Sequence, residues 1–209
     1  ASDVYKRQHV YRVAGVLSGL GLSYDGATEE GEVVGKIFTD QSVDLSKISG
    51  DIQIVSYLQG YGDTTTDEIN AAIQAKPEAF ISVGMATTFF TQQLNAAGIE
   101  FSDIDSFTQS NGEAITNGKL VYLAGKYSSS VGPAFALVLN AINGNVIRDE
   151  QGNAVSLSQN YQVATDEATF DEFYKSDNGD NPMYNKETLD QIIGESVTFD
   201  EINELVTSK

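Results

Sequence analysis

Two carboxylates on one predicted strand are the first residues of this sequence whose type and spacing could do chemistry. Asp103 and Asp105 lie in the run SDIDSFT, and because side chains alternate along a strand, both project to the same face. Glycoside hydrolysis needs only two such carboxyl groups, about 5 to 9 Å apart. A carboxylate-based glycosidase is therefore a minor alternative, since carboxylates near strand ends in an acidic chain more often serve as solvated or capping groups.

Other catalytic and metal-binding chemistry lacks the residues that it needs. His9 is the only histidine and cysteine is absent, so histidine-based triads, histidine metal sites and thiolate sites are not supported. The loop DNGDN at 177–181 is rich in oxygen ligands, but counting from Asp177 places Pro182 and Thr188 where an EF-hand requires Gly and Glu. No glycine-rich phosphate loop opens a helix after a strand. We therefore expect no catalytic residue, no metal and no cofactor.

The charge balance narrows the classes of partner. The chain has 209 residues, of which 30 are acidic and 12 basic, giving a formal net charge of -18. Such a surface repels a phosphate backbone, so nucleic acid is not an expected partner. The longest nearly apolar run, at 134–142, is about half of the ~18 residues that span a bilayer.

The elements that would position these side chains follow an alternating pattern. From Asp51 onward, β-type runs alternate with helix-type runs, as expected for βαβ units. The predicted strands are 51–60, 78–84, 102–108 and 119–127, and the predicted helices are 64–76, 87–98, 110–118 and 128–145. Thr66 and a serine at 128–130 are predicted N-caps, and Gly98, Gly118 and Gly144 are predicted to end helices.

The two ends of the chain show different patterns. A helix is predicted at 11–22, two short strands joined by a turn at Gly152 are predicted over 146–157, and a strand entering a capped helix is predicted over 160–175. Two short amphipathic helices follow a polar loop in the tail. We predict an α/β fold with a three-layer αβα lobe and a mainly parallel sheet, plus a short hairpin and a helical C-terminal tail.

One block carries a pattern more specific than its elements. From Asn117 to Gly144 the sequence reads NGKL, then a strand, a corner, Gly132 and the closing NAING. This block resembles the C-terminal lobe of type I periplasmic binding proteins, which are the sugar-type solute receptors of ABC importers. Three other segments share the resemblance: KPEAFISVG, SDIDSFTQSNGE and the RVAGV that begins at Arg12. The resemblance covers the chain from His9 to about Thr165.

The resemblance implies a periplasmic-binding-protein-like I fold and a non-enzymatic function. Such receptors have two α/β lobes joined by crossing strands, bind a small polar ligand, usually a sugar, in the cleft between the lobes, and deliver it to a membrane permease. It implies ligand contacts from Arg12, Tyr61, Gly84, Met85, Thr108, Lys126 and Tyr127. Several of these depart from the family pattern: Val83 and Gly84 replace Asn-Asp, Thr108 replaces an aspartate, and Lys126 replaces a glutamine. With Arg12, Lys126 would suit an anionic ligand.

The resemblance also implies a division of the chain. Residues 1–8 resemble translated sequencing-adapter sequence and are expected to be foreign, 9–145 to form the C-terminal ligand-binding lobe, and 146–209 to provide hinge-crossing strands and a helical tail that normally packs on an N-terminal lobe. We therefore expect a truncated extracytoplasmic receptor, periplasmic or lipid-anchored, whose signal sequence is missing. Self-association through the exposed lobe interface is expected.

A second function class shares the predicted fold. The effector-sensing domain of a LacI-type transcription regulator has the same architecture and the same R-x-x-G helix. The extended tail after Gly144 and the acidic balance favour the extracytoplasmic receptor.

Overall fold

The computed structural model describes residues 2–58, 65–179 and 182–208. It divides into two compact units, Ala1–Asp103 and Ile104–Lys209. The division falls inside the predicted lobe 9–145, and that assignment of segments stays a prediction. The fold is α/β with a mostly parallel four-stranded sheet, consistent with an αβα lobe.

The first unit is mostly helical. Its elements are α1 (Ser2–Gly19), β1 (Ser23–Tyr24), α2 (Glu30–Asp40), a 3-10 turn (Leu45–Lys47), β2 (Ile48–Ser49), α3 (Thr65–Gln74), β3 (Ala79–Ile81), α4 (Ala86–Ala97) and the first half of β4 (Glu100–Ser106). β1 pairs with β2 in antiparallel fashion, and β3 pairs with β4 in parallel, with Phe80 opposite Phe101. The parallel pair matches the βαβ pattern of the sequence because α4 connects its strands.

A separate core holds α1 and α2 together. It contains Ala14 and Leu17 of α1 together with Val33, Val34 and Ile37 of α2. These positions recur at helical spacing, so each helix presents one apolar stripe to the other. Tyr24 is fully buried beside them and its hydroxyl donates to Asp40 Oδ2 at 2.7 Å.

The second unit contains the other half of the sheet. Its further elements are α5 (Gln109–Thr116), β5 (Leu120–Lys126), a 3-10 turn (Ser128–Val131), α6 (Gly132–Ile142), β6 (Gln162–Ala164), α7 (Glu167–Asn178), α8 (Lys186–Asp190) and α9 (Phe199–Thr207). The sheet order is β3-β4-β5-β6, and β6 runs antiparallel to β5 with Leu123 opposite Ala164.

An aromatic cluster fills one side of the second unit. The ring of Phe107 lies 5.4 Å from that of Tyr127, 6.0 Å from that of Phe170 and 5.2 Å from that of Phe173, centroid to centroid. Phe107 also lies directly against Gly125 of β5, where an added Cβ would come closer than 3.0 Å to its ring. The glycine in LAGKY therefore permits the strand to approach the ring.

The last two helices pack on α6. Ala136 of α6 shares a core with Tyr184, Ile192, Ile202 and Val206. The tail therefore belongs to the core of the second unit. The expectation that it packs on another lobe is not tested by this arrangement.

Two asparagine side chains, one buried and one half-buried, stabilise this packing through hydrogen bonds. Asn140 of α6 is fully buried, donates to the carbonyl oxygen of Ile192 and accepts from the backbone N–H of Gly194, both at 2.9 Å. Asn145 donates to the carbonyl oxygens of Gly194 and Val197. The motif that suggested a family resemblance thus has a structural use in this chain.

α6 also exposes an apolar stripe. Val131, Phe135, Val138 and Ile142 are 72%, 57%, 57% and 74% exposed, and their spacing places them along one side of the helix. The apolar side chains of α6 therefore lie on two sides of the helix: some pack on the tail, and others face solvent.

Several predicted boundaries are confirmed. Gly98 ends α4 with φ at 72°, and α5 is followed by Gly118 at φ 73°. α7 begins at Asp166, whose side chain accepts from the N–H of Thr169. The turn at Gly152 also exists, with φ at 81°, although its flanking segments form only the single bridge Arg148–Ala154.

Other local predictions are wrong. Residues 51–58, the described part of the predicted strand 51–60, form no strand, and no pairing partner is present in the described residues to hold one. Thr66 lies inside α3 and not at its N-cap. No serine side chain caps α6, because a 3-10 turn occupies 128–131 and the N-cap is Val131.

Candidate functional site

Three predicted site residues meet in the first unit. The guanidinium of Arg12, on α1, donates to the carbonyl oxygen of Val83 at 2.8 Å. This bond holds the half-buried arginine against the corner that contains Gly84 and Met85, between β3 and α4. The bond uses part of the guanidinium's donor capacity.

The corner itself has an unusual backbone. Met85 is the N-cap residue of α4 and adopts the left-handed conformation, with φ at 62° and ψ at 24°. This conformation costs a residue other than Gly, Asn or Asp roughly 1 to 2 kcal/mol. The N–H of Gly84 donates to Ser82 Oγ at 3.0 Å, which fixes the turn before the helix.

Asp103 is the group that caps α4. Its Oδ2 accepts from the N–H of Thr87 at 2.9 Å and from the Thr87 hydroxyl at 3.1 Å, while its Oδ1 accepts from Ser82 Oγ at 3.0 Å. A carboxylate at a helix N-terminus is favoured by the orphan N–H groups and the helix dipole. Because Asp103 is 0% exposed, its carboxylate has no surface available for contact with a substrate.

Asp105 is also occupied by local hydrogen bonds. Its Oδ1 accepts from the N–H of Ser106 at 2.7 Å and its Oδ2 from Asn111 Nδ2 at 3.3 Å. Both carboxylates of the glycosidase alternative therefore have structural hydrogen bonds, and that alternative receives no support from their surroundings.

Thr108 follows β4 and is the N-cap of α5. Its hydroxyl accepts from the N–H of Asn111 at 3.3 Å and lies 3.0 Å from Ser110 Oγ. Thr108 thus supplies a capping side chain to α5. The hydroxyl is exposed but already has two partners.

A shallow depression, open to solvent, lies at the carboxyl end of β5. It is lined by Lys126, Tyr127, Ser130, Gln159, Asn160, Gln162, Met183, Tyr184 and Val206. Two of the predicted site residues, Lys126 and Tyr127, therefore lie in one depression. α/β folds commonly bind ligands at this end of their strands.

Hydrogen bonds hold the walls of this depression together. Gln159 donates through Nε2 to the carbonyl oxygen of Ser130 at 2.8 Å, and the N–H of Tyr184 donates to Ser129 Oγ at 3.4 Å. Asp177 accepts from both the N–H and the hydroxyl of Ser128, which anchors the 3-10 turn. The carboxylate of the DNGDN loop is thus used within the fold.

The two tyrosines remain neutral hydrogen-bonding groups at physiological pH. Burial raises the pKa of Tyr127, with smaller increases from Glu172 and Asp177 and an opposing effect from a hydrogen bond to Ser176. Burial also raises the pKa of Tyr184. Lys126 is accordingly the charged side chain among the lining residues.

The predicted site residues belong to both units. Arg12, Gly84 and Met85 form one group in the first unit, whereas Lys126 and Tyr127 line the depression of the second. Tyr61 lies outside the described residues.

The sequence did not point to the amides of the depression. Gln159, Asn160 and Gln162 lie in the run SQNYQ, whose density of amide side chains just before β6 was an available signal. Within the described ranges, no group of three or more His, Asp or Glu side chains could hold a metal ion.

Comparison with family models, with curated proteins and with solved structures finds no match to this chain. Among the described helices, none combines the length and apolar character that a membrane crossing requires.

Proposed function

We propose that this chain is a solute-binding lobe of an ABC importer and that it binds a small polar ligand of the sugar class without chemical conversion. The proposal takes the chain as a type I periplasmic binding protein lobe that works outside the cytoplasm. The observation that carries it is the depression at the end of β5, where Lys126 and Tyr127 lie among three amide side chains.

The chemistry of the lining supports a polyhydroxylated ligand. Amide side chains both donate and accept hydrogen bonds, so Gln159, Asn160 and Gln162 match the hydroxyl groups of a sugar. The half-buried side chain of Met183 can cover the C–H face of a ring. A site lined by charged bases and a nucleophile would have favoured catalysis instead.

The open shape of the depression is what a single wall of a larger cleft would have. Ligand sites bury most of the ligand surface, whereas this depression is shallow and open to solvent. Under the proposal, a second lobe completes the cleft and a permease is the partner. The exposed stripe of α6, from Val131 to Ile142, would favour self-association of the isolated chain.

A titration followed by ¹⁵N–¹H correlation spectra tests the proposal. We expect a panel of monosaccharides at millimolar concentration to shift the resonances of 126–130, 159–162 and 183–184. Asn160→Ala should weaken binding by about tenfold, because it removes an amide that contacts a hydroxyl. Gln92→Ala, an exposed amide on α4, is the matched control and should bind normally.

Two results would refute the proposed function. One is that no sugar shifts these resonances, or that the shifts lie only elsewhere in the chain. The other is turnover of an aryl glycoside by the protein, with loss of turnover in Asp105→Asn, which would restore the glycosidase alternative.

A further inference from the structure

The depression at the end of β5 has an unusual charge for this chain. No aspartate or glutamate is among its lining residues, although the protein contains 30 acidic residues against 12 basic ones. The lining residues do include a lysine, Lys126. The depression therefore carries one positive group and no carboxylate, whereas the protein as a whole is strongly acidic.

Lys126 is not used by the fold. The ion pairs of the described residues join Lys36 to Asp25, Lys47 to Asp40 and Lys186 to Asp190, and Lys126 belongs to none of them. In the described part of the chain its ammonium group also has no side-chain hydrogen bond. Glu172 and Asp177, whose charges raise the pKa of the buried Tyr127, do not line the depression.

The neighbours of Lys126 are suited to neutral polar groups. Asn160 is exposed and its amide forms no side-chain hydrogen bond within the described residues, while Gln159 has used only one of its donors, on the carbonyl oxygen of Ser130. An amide can satisfy a hydroxyl group but gives no charge compensation to a carboxylate. Among the lining residues, Lys126 is the group that can compensate the charge of a carboxylate.

We infer that the ligand of this depression is a sugar acid: a pyranose or related polyol whose single carboxylate binds the ammonium group of Lys126. Its hydroxyl groups bind the amides of Gln159, Asn160 and Gln162, and one ring face contacts Met183. The inference rests on the proposed function, and it adds that the ligand carries one negative charge. Under this inference Lys126, at a position where the family that the chain resembles has a glutamine, determines the class of ligand.

Matched pairs of sugars test the inference on the full chain. D-Galacturonate and D-galactose differ only in having a carboxylate or a hydroxymethyl group at C6, as do D-glucuronate and D-glucose. We expect each acid to bind about tenfold more tightly than its neutral twin, measured from the resonance shifts of 126–130 and 159–162. Raising NaCl from 0.05 to 0.5 M should reduce this difference, because an exposed ion pair is screened.

Substitution of the lysine provides the second readout. Lys126→Gln should remove the advantage of the acid and leave the affinity for the neutral sugar within about twofold, since the amide still binds hydroxyl groups. Lys175→Gln is the matched control, because Lys175 is an exposed lysine of α7 that does not line the depression. It should leave both affinities unchanged.

The outcomes separate this inference from the proposed function. If acid and neutral sugars bind equally and Lys126→Gln changes neither, the inference is wrong and the proposed function stands. If sodium acetate produces the Lys126-dependent shifts and no sugar binds, both are wrong. Absence of any binding also overturns both.

Discussion

The buried amide of Asn140 offers the sharpest test of how the second unit holds together. Asn140→Ala removes the donor to the carbonyl oxygen of Ile192 and the acceptor for the N–H of Gly194, each at 2.9 Å. The side chain is 0% exposed, so water does not replace it freely. Two lost hydrogen bonds at roughly 1 to 1.5 kcal/mol each, with a small cavity, predict a loss of about 3 kcal/mol in the free energy of unfolding.

The assay follows from the composition. Because the chain has no tryptophan and 10 tyrosines, urea unfolding can be followed by tyrosine fluorescence together with far-UV circular dichroism. A loss of about 3 kcal/mol corresponds to a fall in Tm of roughly 6 to 12 °C for a chain of this size. Asn143→Ala, an exposed asparagine at the end of the same helix, should cost less than about 0.5 kcal/mol.

The comparison between the two asparagines decides the outcome. If Asn140→Ala costs less than about 1 kcal/mol, or no more than Asn143→Ala, then the side chain does not fasten the tail to α6. A change in the denaturant slope without a change in midpoint would instead indicate that the tail unfolds separately.

Two further predictions concern packing and charge. Gly125→Ala should cost about 1 to 3 kcal/mol in urea unfolding, because the added methyl group collides with the Phe107 ring inside the aromatic cluster; an unchanged midpoint would show that the ring moves aside freely. A hydrogen bond from Lys47, and a smaller one from Tyr24, hold the pKa of Asp40 below its ordinary value, so its contribution to stability is present above about pH 4 and is lost as pH falls through the lowered pKa. Asp40→Asn should therefore be less sensitive to acid than the parent between pH 6 and pH 2.5, and equal sensitivity would contradict the assigned ion pair.

Local signals made several elements predictable. Gly98 ends α4 because a left-handed residue closes the helix there, and Asp166 begins α7 because its carboxylate reaches the N–H of Thr169. Such signals act over three or four residues, so the sequence contains all the information that they need. The resemblance, rather than a local signal, named Lys126 and Tyr127 as site residues, and both line the depression at the end of β5.

Features that depend on distant partners were not predictable in the same way. Residues 51–58 have the composition of a strand, but a strand requires a neighbour, and the chain places none there among the described residues. The hydrogen bonds of Asn140 were not predictable from its own segment because its partners, Ile192 and Gly194, lie about fifty residues away. Asp103 looked like a catalytic candidate for the same reason, as its role depends on Thr87.

One element was missed although its pattern was local. Sequence patterns gave no prediction for α2, yet Val33, Val34 and Ile37 recur at helical spacing and all three are buried. Gly31 and Gly35 interrupt this helix and reduce its intrinsic propensity, so packing against α1 rather than propensity stabilises it.

The position of α9 affects how the protein should be handled in the laboratory. Val206 is only 1% exposed and lies three residues from the last one, Lys209. Trimming the chain back to Asn185 for crystallisation would uncover Ala136 and strip Asn140 of both partners, and the product would be expected to aggregate during expression.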